Sequence, residues 1–241
     1  MPLPKITTPT YELVLPSSGK KIKYRPFLVR EEKILILAME SGDQKQITDA
    51  IKTTLKSCIT TRGIKVDDLP TFDIEYIFLN IRGKSVGEAI DLVVTCPDDE
   101  ETQVEVKIYI DEIKVNKPKK HSRDIKLDDT LTLRMKYPSL NEFVKSNFDF
   151  NAEDAAQIEQ SFEIISSCID VVYNEEESWA ASDCTKKELT QWMEGLNSGQ
   201  FKQIESFFET MPKLSHTIKV KNPNTKVESD VTLEGLTSFF V

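Results

Sequence analysis

The stretch Asn80–Val94, NIRGKSVGEAIDLVV, decides the reading of the chain, because the spacing of its apolar residues changes partway through. Upstream, residues 71–83 (TFDIEYIFLNIRG) put Phe72, Tyr76 and Leu79 on one helical face and Ile74, Ile77 and Ile81 on the neighbouring one. Downstream, residues 89–115 carry two β-branched runs on either side of an acidic Pro-Asp-Asp turn, the pattern of an antiparallel hairpin. The spacing therefore predicts a helix ending near Gly83, a short connection holding Lys84 and Ser85, a turn at Gly87 and then a strand.

That order bears on two catalytic fingerprints in the same stretch. GKSVG fits the G-x-S-x-G nucleophile elbow, but an elbow needs a strand entering the Ser and a helix leaving it, and here the order is reversed. GKS also fits the end of a phosphate-binding loop, whose first glycine would fall at position 78, which is Phe78. A hydrolase using Ser85 is thus the weakest of the functional readings. Paired carboxylates such as Asp67-Asp68, Asp98-Asp99 and Asp128-Asp129 fall in turns or strand starts, where solvation accounts for them.

Working outward, residues 11–28 alternate apolar and polar around Pro-Ser-Ser-Gly and read as a hairpin pairing Leu13 and Leu15 with Ile22 and Tyr24. The next segment, VREEKILILAMESGD, reads as a helix with an unusually broad apolar face, stopped at Ser41-Gly42. Ile47, Ile51, Leu55 and Cys58 make the stripe of a second helix. On the C-terminal side, residues 124–137 alternate again, with Leu127, Leu131, Leu133 and Met135 inward. Ser139 and Glu142 have capping-box spacing. Residues 152–173 should form the longest helix, followed by an acidic loop holding Trp179 and two shorter helices split by Asn197-Ser-Gly199. A third hairpin closes the chain. Its VKNPNTKVESDVT repeats the grammar of VTCPDDEETQVEV in the second.

The chain has 241 residues, 39% of them hydrophobic, with a net charge of -9, so a general nucleic-acid binder is disfavoured. The one dense basic run, Lys117–Arg123, reads as a solvated linker or a contact for an acidic partner. No run approaches a membrane helix and the N-terminus has no apolar signal-peptide core, which points to a cytosolic product. Cys58, Cys96, Cys168 and Cys184 are far apart and read as reduced thiols, so neither metal nor cofactor is expected.

The C-terminal LEGLTSFFV concentrates apolar residues where a chain would otherwise fray. It must dock on the chain's own core or on a partner. With no catalytic constellation in view, this favours an interaction protein over an enzyme. The motifs LPSSGKKIKYRPFLVREEKILILAMES, LPTFDIEYIFLNIRGKSVGE, LRMKYPSL and LEGLTSFF, taken in order, resemble the baseplate hub subunit and hub assembly proteins of T-even-type contractile-tailed phages. The likeness is strongest over residues 13–95. It implies a non-enzymatic role as hub subunit or assembly chaperone. The partners implied are other hub or tape-measure proteins, in a homo- or hetero-oligomer, in the host cytoplasm during assembly and in the virion tail baseplate. Members of that family often carry cysteines at the hairpin turns, resembling a zinc ribbon. Here Cys96 stands alone in one turn and Asn222-Pro-Asn224 occupies the other.

The expectation is thus an α+β protein of antiparallel hairpins interspersed with helical segments, in one or two lobes. The division expected is residues 1–115 and residues 116–241. The residues expected at an interaction surface are Arg25, Phe27, Glu31 and Glu32, then Asp73, Glu75 and Arg82, and finally Phe239 and Phe240. For Arg25, Glu31 and Arg82 the competing reading is an internal ion-pair network. A generic cytosolic protein-binding module is the alternative function.

Overall fold

The computed structural model describes residues 6–139, 155–235 and 238. Among them the chain is α+β, with six helices and small antiparallel sheets. It divides into two compact units, residues 1–116 with 213–241, and residues 117–212.

In the first unit, β1 (Tyr11–Val14) and β2 (Lys21–Tyr24) form the expected hairpin, with Leu13 opposite Ile22 and Tyr11 opposite Tyr24. Helix α1 (Val29–Ser41) ends where Gly42 turns into the left-handed region at φ 65°, and α2 (Gln44–Cys58) starts from Asp43, whose carboxylate accepts from the Lys45 and Gln46 N–H groups. Helix α3 (Thr71–Val86) is apolar on adjoining faces and so lies at the centre: Phe72, Ile74, Ile77, Phe78, Leu79 and Ile81 are all buried. It runs past Gly83 to Gly87, whose φ of 132° ends it. Lys84 and Ser85 therefore stand in the last helical turn, not in a loop. Position 83 is a glycine within the helix because a Cβ there would come 2.8 Å from Ile110 Cδ1.

Strands β3 (Ala89–Thr95) and β4 (Gln103–Tyr109) make the second hairpin. A separate three-stranded sheet orders β11 (Glu228–Glu234), β10 (Lys213–Lys221) and β5 (Lys114–Asn116). Leu79, Ile90, Leu92, Ile108, Ile110, Ile113, Leu214 and Val220 pack as one core between these strands and α3. The chain leaves this unit after Asn116 and re-enters at Lys213, and these two residues face each other across the β5–β10 ladder.

The second unit is a four-stranded antiparallel sheet in chain order with helices packed on it. Its strands are β6 (Asp124–Lys126), β7 (Thr132–Met135), β8 (Ile169–Tyr173) and β9 (Ser178–Ala180). Helix α4 (Ala155–Ser167 among the described residues) ends at Ser167, before the end expected for it at Tyr173. From Ile169 the β-branched Ile-Asp-Val-Val-Tyr run pairs with β7 on one side and β9 on the other, satisfying its backbone in a ladder and leaving χ1 free of helical crowding. Trp179, expected in a loop, sits opposite Val172 in β9. Helices α5 (Lys186–Glu194) and α6 (Ser198–Thr210) begin at capping boxes on Thr185 and Asn197. Leu133, Met135, Ile165, Ile169, Met193, Ile204 and Phe208 form the core. The Glu142 capping position lies outside the described residues.

Candidate interaction surface

Helix α1 is packed against expectation for an amphipathic helix. The residues it buries are Glu31 and Ala38, while Val29, Ile34, Ile36, Leu37 and Met39 are exposed, Val29 at 78% and Leu37 at 55%. The broad apolar face read from the sequence is thus largely turned outward. The cause is local. Arg25, leaving β2, places its guanidinium 2.9 Å from the Glu31 carboxylate, with Glu31 only 3% and Arg25 13% exposed at the side chain. Glu31 also takes the Leu28 N–H at 2.7 Å and the Arg30 Nε–H at 2.7 Å. Burial raises the pKa of Glu31, but these three donors outweigh it and hold the carboxyl down at about 2. An ionised carboxylate fixed on the inner face sets the rotation of the helix; Val29, Ile36 and Leu37 go outward by periodicity, while Ile34 and Leu35, three and four residues on, share the Glu31 side and are still only partly covered.

A second contact fixes the same end. Ser85 Oγ donates to the Ile81 carbonyl at 2.6 Å and accepts the Phe27 N–H at 2.9 Å, so the hydroxyl ties the last turn of α3 to the start of α1. The serine of the GKSVG fingerprint is a structural link.

The other residues expected at a surface are distributed differently. Asp73 is fully buried and accepts from the Ser17 N–H at 2.9 Å and from the Ser17 hydroxyl, joining α3 to the β1–β2 turn. Glu75 is buried with Gly235 beside it. Arg82 is partly buried, which lowers its pKa. Phe27, just before α1, and Glu32, in its first turn, are half-buried. Arg25 and Glu31 therefore come together, while Asp73, Glu75 and Arg82 belong to α3, Asp73 on the opposite side from the other two. Phe239 and Phe240 lie outside the described residues.

Sequence reasoning did not foresee that the two similar hairpin turns meet. Asn222, 0% exposed, donates its amide to both Asp98 oxygens at 3.1 Å and to Asp99 at 2.8 Å, while its Oδ1 accepts the Asn224 and Thr225 N–H groups. The Thr225 hydroxyl donates to Asp98 and the Asn224 amide to Thr102. Each turn ends on a non-glycine residue at positive φ, Glu100 at 57° and Lys226 at 68°, four residues after Cys96 and Asn222 respectively. The shared X-Pro grammar was the visible signal of this symmetry. Bonds from Thr102 and Asn222 hold the Asp99 carboxyl well below the usual range. Among the described residues no group of His, Cys, Asp and Glu is arranged to hold a metal ion, and no helix is long and apolar enough to cross a membrane.

A family model described as T4 bacteriophage base plate protein matches residues 8–241. The match spans nearly the whole chain, so the chain belongs to that family, whose role is a structural one in the phage baseplate. No curated protein and no solved structure gives a match.

Proposed function

From membership of the base plate protein family, we propose that this chain is a baseplate hub subunit or hub assembly factor that works through protein–protein contacts and without catalysis. The observation that carries this reading is α1, a helix held with its apolar side to solvent by a buried ion pair. Exposed apolar residues clustered on a braced helix are the mark of a surface awaiting a partner. Arg25 and Glu31 brace the contact, Phe27 and Glu32 border it, and Asp73, Glu75 and Arg82 hold α3 in place beneath. Phe239 and Phe240 supply a second apolar contact. The partners are other hub or tape-measure proteins, met in the host cytoplasm during assembly and retained in the tail if the chain is a subunit.

The test is quantitative mass spectrometry of finished virions and of tail intermediates, for the wild type and for an Ile36→Ser/Leu37→Ser double variant. Constant copies in both samples identify a subunit, and presence in intermediates alone identifies an assembly factor. The variant should keep its thermal midpoint and lose association. Wild-type incorporation of the variant would refute the role given to α1, and absence of the chain from both wild-type samples would refute the baseplate reading as a whole.

A further inference from the structure

The second unit carries an apolar groove that the reading above leaves unused. It lies between the β8–β9 edge of the sheet and α5, encloses about 470 Å³, and is lined by Leu131, Ile169, Val172, Trp179, Leu189 and Trp192. That volume falls in the range of specific binding clefts. Val172 and Trp179 are cross-strand partners, so the floor is ladder-paired sheet, and Leu189 and Trp192 form the opposite wall from α5 at i and i+3. Trp179 is 45% exposed, an unusual position for a large aromatic residue at the mouth of a cleft.

The β8–β9 turn, which joins the two strands of the groove's floor, presents Glu175, Glu176 and Glu177 in succession; with Arg134, Val171 and Tyr173 they line a second cleft, not the groove itself. The turn is fixed, because Asn174 Oδ1 accepts the Glu176 and Glu177 N–H groups and the Asn174 N–H donates to the Glu177 carbonyl at 2.9 Å. All three glutamates are exposed, and among the described residues none pairs with a cation. The neighbouring cations are already engaged: Arg134 binds Asp124 and lies over the Tyr173 ring, and Lys186 binds Glu163. Asp183 and Glu188 add negative charge on the α5 side, where Lys187 is the opposing charge. Three adjacent like charges on an ordered turn repel one another, and a cationic partner relieves that repulsion. The sheet also ends at β9, an outer strand whose far edge can accept another strand.

Resting on the reading that the chain works through protein contacts, we propose that this groove docks an extended segment of another baseplate protein. One aromatic or branched aliphatic side chain seats between Trp179 and Trp192, and Lys or Arg residues beside it meet Glu175–Glu177. The apolar anchor supplies affinity and the glutamates select and orient the segment.

The experiment uses the full-length chain and overlapping synthetic peptides spanning the other baseplate proteins of the same phage. Binding is read by tryptophan fluorescence, to which Trp179 and Trp192 are the chain's contributors. Peptides combining an apolar anchor with adjacent Lys or Arg should perturb the emission, and their affinity should fall with added salt. Trp179→Ser and Glu176→Lys/Glu177→Lys, all at exposed positions, should each weaken binding about tenfold or more while leaving the thermal midpoint in place. Binding that survives both variants, or an array with no peptide that perturbs the emission, overturns the proposal. Should the α1 variant fail to assemble while the groove variants incorporate normally, the groove assignment falls and the baseplate role stands.

Discussion

Removing the Asn222 amide tests whether the two hairpin tips are held by that side chain. In Asn222→Ala, Asp98 and Asp99 lose a buried donor and the Asn224 and Thr225 N–H groups lose their acceptor. Hydrogen bonds to charged groups contribute about 1.5–3 kcal/mol each and neutral ones about 1 kcal/mol. Asp98 is exposed and Asp99 half-exposed, so water replaces the donor they lose and the low end applies. Two bonds to carboxylates at about 1.5 kcal/mol and two neutral ones at about 1 kcal/mol give an expected net loss of about 5 kcal/mol. Both tryptophans lie in the second unit, so their fluorescence would miss the event. Amide hydrogen exchange over residues 89–109 and 213–234, read by mass spectrometry in increasing urea, reports the right strands. Asn222→Asp should be worse at neutral pH, since it sets a third carboxylate against two. The new carboxyl would have a raised pKa, so the part of its penalty that comes from charge should vanish as pH falls below the ordinary carboxylate range. A change under about 0.5 kcal/mol for Asn222→Ala, the size of an ordinary surface substitution, would refute the clasp.

Glu31→Ala should destabilise the first unit by about 3 kcal/mol, because it strands the Arg25 guanidinium in a mostly buried site, and a urea titration measures it. With the Glu31 carboxyl held at about 2 when folded, its stabilisation is complete above the unfolded value near 4.5 and is lost as pH falls towards 2, so the variant and wild type should converge in acid. Ser85→Ala removes the acceptor of the Phe27 N–H and should lower stability by about 1–2 kcal/mol in the same titration. His121 stacks on Tyr137 and Phe207 and is bonded at Nδ1 to Thr210 and at Nε2 to Tyr137; burial lowers its pKa. Its folded site favours the neutral ring, so stability of the second unit should decline as pH drops through and below about 6.5, a slope that His121→Gln should flatten in pH-dependent melts followed by tryptophan emission.

The elements with a clean period were legible in the sequence. The three hairpins, α1, α2 and the cores under α3 and β7 follow from spacing alone. Errors came where two signals compete. Ile169–Tyr173 continues an apolar helical stripe yet forms a strand, because β-branched residues flanked by two partner strands gain a ladder that a helix cannot supply. Gly83 carries the usual mark of a helix end, but the helix runs through it, and the glycine is required there by the close approach of Ile110, distant in sequence. The outward rotation of α1 was hidden for the same reason, since periodicity gives the angle between faces and not which face turns inward. That choice fell to a Glu31–Arg25 pair, whose members the sequence had offered as partner contacts or, slightly in preference, as an internal network. The meeting of Asp98 with Asn222, 124 positions apart, needed the fold to bring it about.

The pairing of Asn116 with Lys213 has a bearing on how the molecule is made. The strand that completes the first unit's three-stranded sheet is synthesised only after the whole of the second unit has been synthesised. The second unit, continuous in sequence, can therefore close while β3, β4 and α3 still wait for β10 and β11. Until then the Asp98–Asp99 turn has no Asn222 and the core around Leu79 lacks Leu214 and Val220. Translation order puts the hairpin clasp after the synthesis of the second unit, and a nascent protein stalled before residue 213 would display the unfinished core to its surroundings.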